Sequence, residues 1–157
     1  MNNETETRQY LVFKLDKIKY AIEITQVQEV IQWVEPTQLP SSPDYSRGVI
    51  NLRGRTIPVI DLNKTLSIHN STQATPSVII VLSLLSASGH KLIGFDVDAV
   101  SDVRRINDND IQDQDIVTNT DSTSSVRGVY MDNEDTLVII NATRLLELSD
   151  FKFNLAA

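Results

Sequence analysis

Short apolar runs rich in β-branched and aromatic residues recur along the chain, each closed by a polar break, and this is the pattern of strands joined by turns. Tyr10-Leu11-Val12-Phe13-Lys14-Leu15 and Ile18-Lys19-Tyr20-Ala21-Ile22 flank the turn Asp16-Lys17 and predict a first hairpin. A second hairpin is predicted where Gly48 to Leu52 and Thr56 to Ile60 flank the compact break Arg53-Gly54-Arg55. Gly54 supplies the positive φ that a tight turn needs, so Arg53 and Arg55 are held out from the sheet. Pro58 has no N–H to give to a ladder, which places its strand at a sheet edge or beside a bulge. Ser77 to Leu84 is almost wholly apolar and β-branched, as in a strand buried on both faces. Lys91 to Val97 and Ala99 to Ile106 continue as strands, and Val126 to Met131 with Thr136 to Ile140 form a last hairpin about Asp132 to Asp135.

Two stretches break the strand period. In Glu23 to Ile31, Thr25 and Gln28 have the spacing of a capping box, and Val27, Val30, Ile31 and Val34 fall on one helical face, so one or two helical turns are expected. Asn141 is placed to cap a short amphipathic helix carrying Leu145, Leu146 and Leu148. The remaining segments read as irregular. They are the proline-interrupted stretch Glu35 to Ser46, the polar connector Asn63 to Pro76, an acidic loop from Asn107 to Asp115, and the tails 1–7 and 151–157 around a single domain over 8–150. About nine or ten hairpin-linked strands with two short helices make a mainly antiparallel β protein of sandwich or barrel type. No repeat unit is evident, and no βαβ alternation suggests a dinucleotide-binding fold.

The chain of 157 residues is 41% hydrophobic and 22% charged, an ordinary globular balance with no apolar run of transmembrane length. The N-terminal segment lacks the basic and apolar regions of a secretory signal, so an intracellular, cytoplasmic protein is expected. With no cysteine, disulfides and thiolate metal sites are excluded. Fourteen basic against twenty-one acidic residues, with no basic cluster, argue against nucleic acid and against anionic membranes.

No catalytic constellation emerges. A nucleophile elbow and a phosphate-cradling glycine loop are both missing, and His69 and His90 sit in polar turns without a ligand-spaced partner. Asp108, Asp110, Asp113 and Asp115 invite a calcium reading, but the central glycine and bidentate glutamate of such a loop are wanting, and a solvated loop is the plainer reading. Asp61 reads as a backbone acceptor at a strand end. A β core without chemistry points to a binding module that needs neither cofactor nor metal. Periodicity alone treats the turn arginines as merely solubilising; a cation fixed on a rigid turn also suits an acidic partner.

Arg47-Gly48-Val49-Ile50-Asn51-Leu52-Arg53-Gly54 followed by Ile57-Pro58-Val59-Ile60-Asp61-Leu62 resembles the signature of the CheW family, the coupling proteins of bacterial chemotaxis arrays. The resemblance runs through Tyr10 to Phe13, Val27 to Val30, Val78 to Leu84, Asp98 to Val103, Arg127-Gly128 and Leu137 to Asn141. It implies a mainly β fold of two intertwined five-stranded β-barrel lobes, CheW-like and SH3-like, with short helices. It further implies a non-enzymatic scaffold that joins the cytoplasmic tips of methyl-accepting chemoreceptors to the regulatory domain of a CheA-type histidine kinase. Self-association in array rings is a further implied partner state. By matching position the receptor-facing set is Val27, Glu29, Gly48, Arg53, Gly54 and Val103. Arg55, apolar in many relatives, is one departure, and the polar connector Asn63 to Pro76 is another variable place.

Overall fold

A computed structural model describes residues 7–62, 78–86, 89–113, 126–133 and 135–144. Among the described residues eleven strands run β1 (Thr7–Leu15), β2 (Ile18–Glu23), β3 (Val27–Gln32), β4 (Ser46–Leu52), β5 (Arg55–Ile60), β6 (Val78–Ser86), β7 (Gly89–Val97), β8 (Ala99–Asn107), β9 (Ile111–Asp113), β10 (Val126–Met131) and β11 (Thr136–Ile140). They form a six-stranded sheet in the order β8-β1-β2-β11-β10-β9 and a five-stranded sheet in the order β3-β6-β7-β5-β4. The protein is therefore mainly β, in two interleaved lobes, with the second inserted between the early and late strands of the first.

The expected hairpins are all present, and the first two close as the strand twist requires. Asp16 and Lys17 have φ of 53° and 74°, and Arg53 and Gly54 have φ of 52° and 84°. Two successive positive φ values make a turn whose twist matches that of the flanking strands. Sequence reasoning placed only Gly54 in that region; Arg53 joins it, which is unusual for a residue with a side chain.

Two expectations need correction. Residues 23–32 are not a helix: one 3-10 turn at Ile24–Gln26 leads directly into β3. The apolar positions fit a helical face by spacing, but pairing with β6 from Val27↔Leu82 to Gln32↔Val78 satisfies the backbone instead. The acidic stretch is not all loop, since a 3-10 turn at Asp108–Asp110 is followed by β9, which pairs with β10 and makes the sixth strand of its sheet. Pro58 lies inside a sheet rather than at its edge, and the bulge alternative holds: the ladder with β4 shifts register between Ser46 and Gly48, opposite the residues that follow Pro58. Pairing of β5 with β7 begins only at Val59↔Gly94, so the missing donor falls where no ladder is formed on that side. Strand β1 begins at Thr7, which pairs with Asn107. Asn141 caps residues 142–144, its Oδ1 accepting from the Arg144 N–H at 3.2 Å. The leucines of that helix, the connector 63–76 and the C-terminal tail lie outside the described residues.

A repeat is present after all, in pairing more than in residue identity. Within each sheet an edge strand pairs antiparallel with a hairpin, the hairpin pairs parallel with a second hairpin, and the registers agree. Strands β8, β1, β2, β11 and β10 thus correspond to β3, β6, β7, β5 and β4. Register shifts fall at matching places: Val12/Phe13 against Val27/Glu29, and Val126/Gly128 against Ser46/Gly48. Packing follows the same plan. Tyr10, Val12, Leu137 and Ile139 fill one lobe, and their counterparts Ile79, Val81, Ile57 and Val59 fill the other. The opposite faces of the same strands, including Leu11, Phe13, Tyr20 and Ile22 against Ile80, Leu82, Ile93 and Phe95, share one core between the lobes. Phe13 stands at its centre, 5.6 Å from the Tyr20 ring and 5.4 Å from that of Phe95.

A candidate partner-docking surface

Strand β3 carries the first two candidate residues. Its side chains alternate between half-buried Val27, Glu29 and Ile31 and exposed Gln28, Val30 and Gln32. Val27 packs on the shared core, and the register shift between Val27 and Glu29 turns the strand at that point. Val30, read as inward from helical spacing, is 43% exposed. The strand period, once recognised, would have placed it there.

Arg53 projects from the β4–β5 turn, and its guanidinium forms an ion pair with Glu29. Strands β3 and β4 are the two outer strands of their sheet, so this pair and the antiparallel bridge Thr37↔Val49 together show the sheet curling until its borders approach. The turn is stiffened from below, since the Gly54 N–H donates to Asn51 Oδ1 at 2.9 Å. Arg53 stays 68% exposed although paired. A cation held this way loses little freedom on meeting a second carboxylate, and its planar fork suits that group.

The other candidates are placed differently. Gly48 is buried inside β4 beneath the Thr37 carbonyl, and Val103 lies in β8 on the other sheet, 47% exposed. The structure thus joins Glu29 and Arg53 directly, sets Gly54 next to Arg53 in the turn and Val27 on the strand of Glu29, and places Gly48 within β4 and Val103 on the other sheet. In the lobe repeat, Val103 paired with Leu11 corresponds to Val30 paired with Ile80.

The remaining charges hold the fold. Arg47 spans two carboxylates, Asp96 at 2.7 Å and Asp61 at 3.3 Å. Burial pushes the Asp96 carboxyl up, against the pull of Arg47. Asp61, expected as a backbone acceptor, turns its carboxylate to this arginine. Asp108 accepts from the Tyr10 hydroxyl at 3.2 Å and faces Arg8 and Arg127, while Asp113's side chain and Asp115 lie outside the described residues. Among the described residues no set of three His, Asp or Glu side chains is arranged to hold a metal ion. His90 Nδ1 lies 3.3 Å from Ser83 Oγ, and His69 is outside the described residues. Two open clefts flank Arg47 and Arg127, and both arginines are engaged by carboxylates. No helix of the described residues is long and apolar enough to cross a membrane.

Two β sheets on one shared core, with no metal-holding cluster among the described residues, define the class of small two-lobed β domains. Residues 9–150 match the family model described as CheW-like domain. The chain is 31% identical over 143 residues to the chemotaxis protein CheW of Klebsiella aerogenes, covering 91% of this chain and 84% of that protein. It is also 31% identical to the chemotaxis protein CheW of Bacillus subtilis, over 87% and 85% of the two chains. The crystal structure of the scaffolding protein TtCheW from Thermoanaerobacter tengcongensis superposes with a TM-score of 0.72 at 34% identity, covering 85% of this chain and 88% of that one. The chain belongs to the CheW family.

Proposed function

We propose that the chain is a non-enzymatic scaffold of bacterial chemosensory signalling, acting in the cytoplasm at receptor arrays as a single domain over 8–150. It couples the cytoplasmic tip of a methyl-accepting receptor to the regulatory domain of a CheA-type histidine kinase, and self-association in array rings is a further role. The observation that carries this reading is the Arg53–Glu29 pair on a rigid turn beside the exposed edge strand β3. A receptor tip is a helical bundle. A helix laid against apolar side chains, with one fixed cation setting its register, is a common mode of recognition. Val27, Glu29, Arg53, Gly54 and Val103 form the receptor-facing set, to which the exposure of Val30 adds one apolar position, while Gly48 belongs to it by position in the family pattern. An adaptor of this kind works by favouring one kinase arrangement through differential contacts rather than by chemistry.

Calorimetric titration of the purified chain with the kinase regulatory domain, then with a receptor-tip fragment, tests the reading. Saturable binding to both is expected. Arg53→Ala should weaken receptor binding by about tenfold or more with the fold unchanged, since a desolvated charge pair at an interface is worth 2 to 5 kcal/mol when truncated. Binding to neither folded partner would overturn the reading in favour of a small-molecule carrier.

A further inference from the structure

The motif Arg-Gly-Val occurs twice, at 47–49 and at 127–129, and the pairing repeat sets the two copies on each other. At both glycines a foreign backbone lies where a side chain would begin. A Cβ built on Gly48 would fall well inside van der Waals contact of the Thr37 carbonyl oxygen, and one on Gly128 would do the same to the Gln112 carbonyl oxygen. The crossing strap is paired to the next residue each time. Thr37 exchanges hydrogen bonds with Val49, donating at 2.8 Å and accepting at 2.9 Å, and Gln112 pairs with Val129.

Each strap is the direct continuation of an edge strand. Residues 33–36 join β3 to Thr37, with Pro36 buried and Trp33 packed on the lobe core. The 3-10 turn Asp108–Asp110, capped by Asn107 at 2.8 Å, joins β8 to β9, where Ile111 is buried. Such short, anchored links leave little slack. Pushing the strap away by one methyl group displaces the edge strand behind it, because packed elements shift as units.

We propose that Gly48 and Gly128 are matched positioning residues of the docking surface, each leaving room for the strap that fixes an edge strand, β3 with Glu29 in one lobe and β8 with Val103 in the other. The inference rests on the docking reading above and changes one part of it: Gly48 acts by spacing rather than by touching a receptor, and Gly128, outside the receptor-facing set, acts equally.

The test combines amide hydrogen exchange with calorimetry on Gly48→Ala and Gly128→Ala at a temperature where both are folded. Exchange at Thr37 and Val49 in the first, and at Gln112 and Val129 in the second, should quicken about tenfold or more while β6 is unchanged, as expected for local opening. Receptor-tip binding should weaken about tenfold in each variant and kinase-domain binding by less than about twofold, a selectivity that general destabilisation does not produce. Weakened receptor binding with unchanged strap exchange would show direct contact and overturn the proposal, as would quickened exchange with unchanged receptor binding, or equal loss of both partners. Gly48 has a φ of 119°, so its alanine variant carries backbone strain as well; Gly128 shows no positive φ and isolates the steric effect. If neither variant folds, exchange in the wild-type chain decides: protection of the Thr37 and Gln112 amides comparable to that of β4 and β10 is required, and rapid exchange overturns the straps. A wild-type chain that binds no receptor fragment overturns the docking reading and with it the placement of the surface, while the exchange pattern still decides the straps.

Discussion

The two lobes share one plan and use opposite charges at the same architectural joint. In the six-stranded lobe Arg104 on edge strand β8 meets Asp132 and Asp135 in the β10–β11 turn, with Lys19 2.9 Å from Asp135 on its other side. In the five-stranded lobe the edge strand supplies the carboxylate, Glu29, and the β4–β5 turn supplies the arginine, Arg53. Arg104 is 25% exposed and surrounded by acids, whereas Arg53 stands outward from a two-residue turn. One joint is a clasp and the other a presented charge. A second difference lies at Pro58, whose counterpart Val138 pairs with Tyr20; the five-stranded lobe forgoes that pairing and has a shorter parallel contact.

The largest test of this comparison addresses the shared core. Phe13→Ala should cost about 3 to 5 kcal/mol and its counterpart Leu82→Ala about 2 to 5 kcal/mol, read by urea denaturation. Both variants should unfold in a single transition, because the two side chains lie in one cluster; two separated transitions would show that the lobes are independent units. Tyr20 sharpens the comparison through pH, since its counterpart Ile93 does not titrate. Burial pushes the Tyr20 phenol from 10.0 up to about 12. The unfolded chain therefore releases this proton first, and stability should fall as pH rises from 10 towards 12. The loss is of the order of 2 kcal/mol, and Tyr20→Phe should flatten it in thermal unfolding measured across that range. The smallest effect separates clasp from presented charge. Arg104→Ala should destabilise by about 1 kcal/mol and Arg53→Ala by about 0.5 kcal/mol or less, since exposed pairs contribute little. Equal costs would remove the distinction.

Hairpins were the legible part of this chain, because each is local: alternation with a polar turn names both strands before any tertiary contact is known. Residues 23–32 were not, since Val27, Val30, Ile31 and Val34 suit a helical face and a pleated edge alike, and only the partner strand β6 decides between them. β9 escaped notice for a similar reason, a three-residue strand among carboxylates whose one apolar anchor is Ile111. Apart from Arg-Gly-Val, the repeat is faint in residue identity because apolar counterparts differ, as with Phe13 and Leu82 or Tyr20 and Ile93, while the registers agree. Of the candidate site, the turn holding Arg53 and Gly54 was readable from composition. Its pairing with Glu29 was not, because it joins the two borders of a curled sheet, 24 residues apart in the chain.

The interleaved connectivity bears on how the chain is made. Strands β3 to β7 occupy one continuous stretch, so the five-stranded lobe leaves the ribosome whole, whereas β2 waits for β11. At about 5 to 20 residues per second the wait lasts several seconds at least. The face of the five-stranded lobe that packs on β1 and β2 in the shared core is thus complete in the chain before β11 is made.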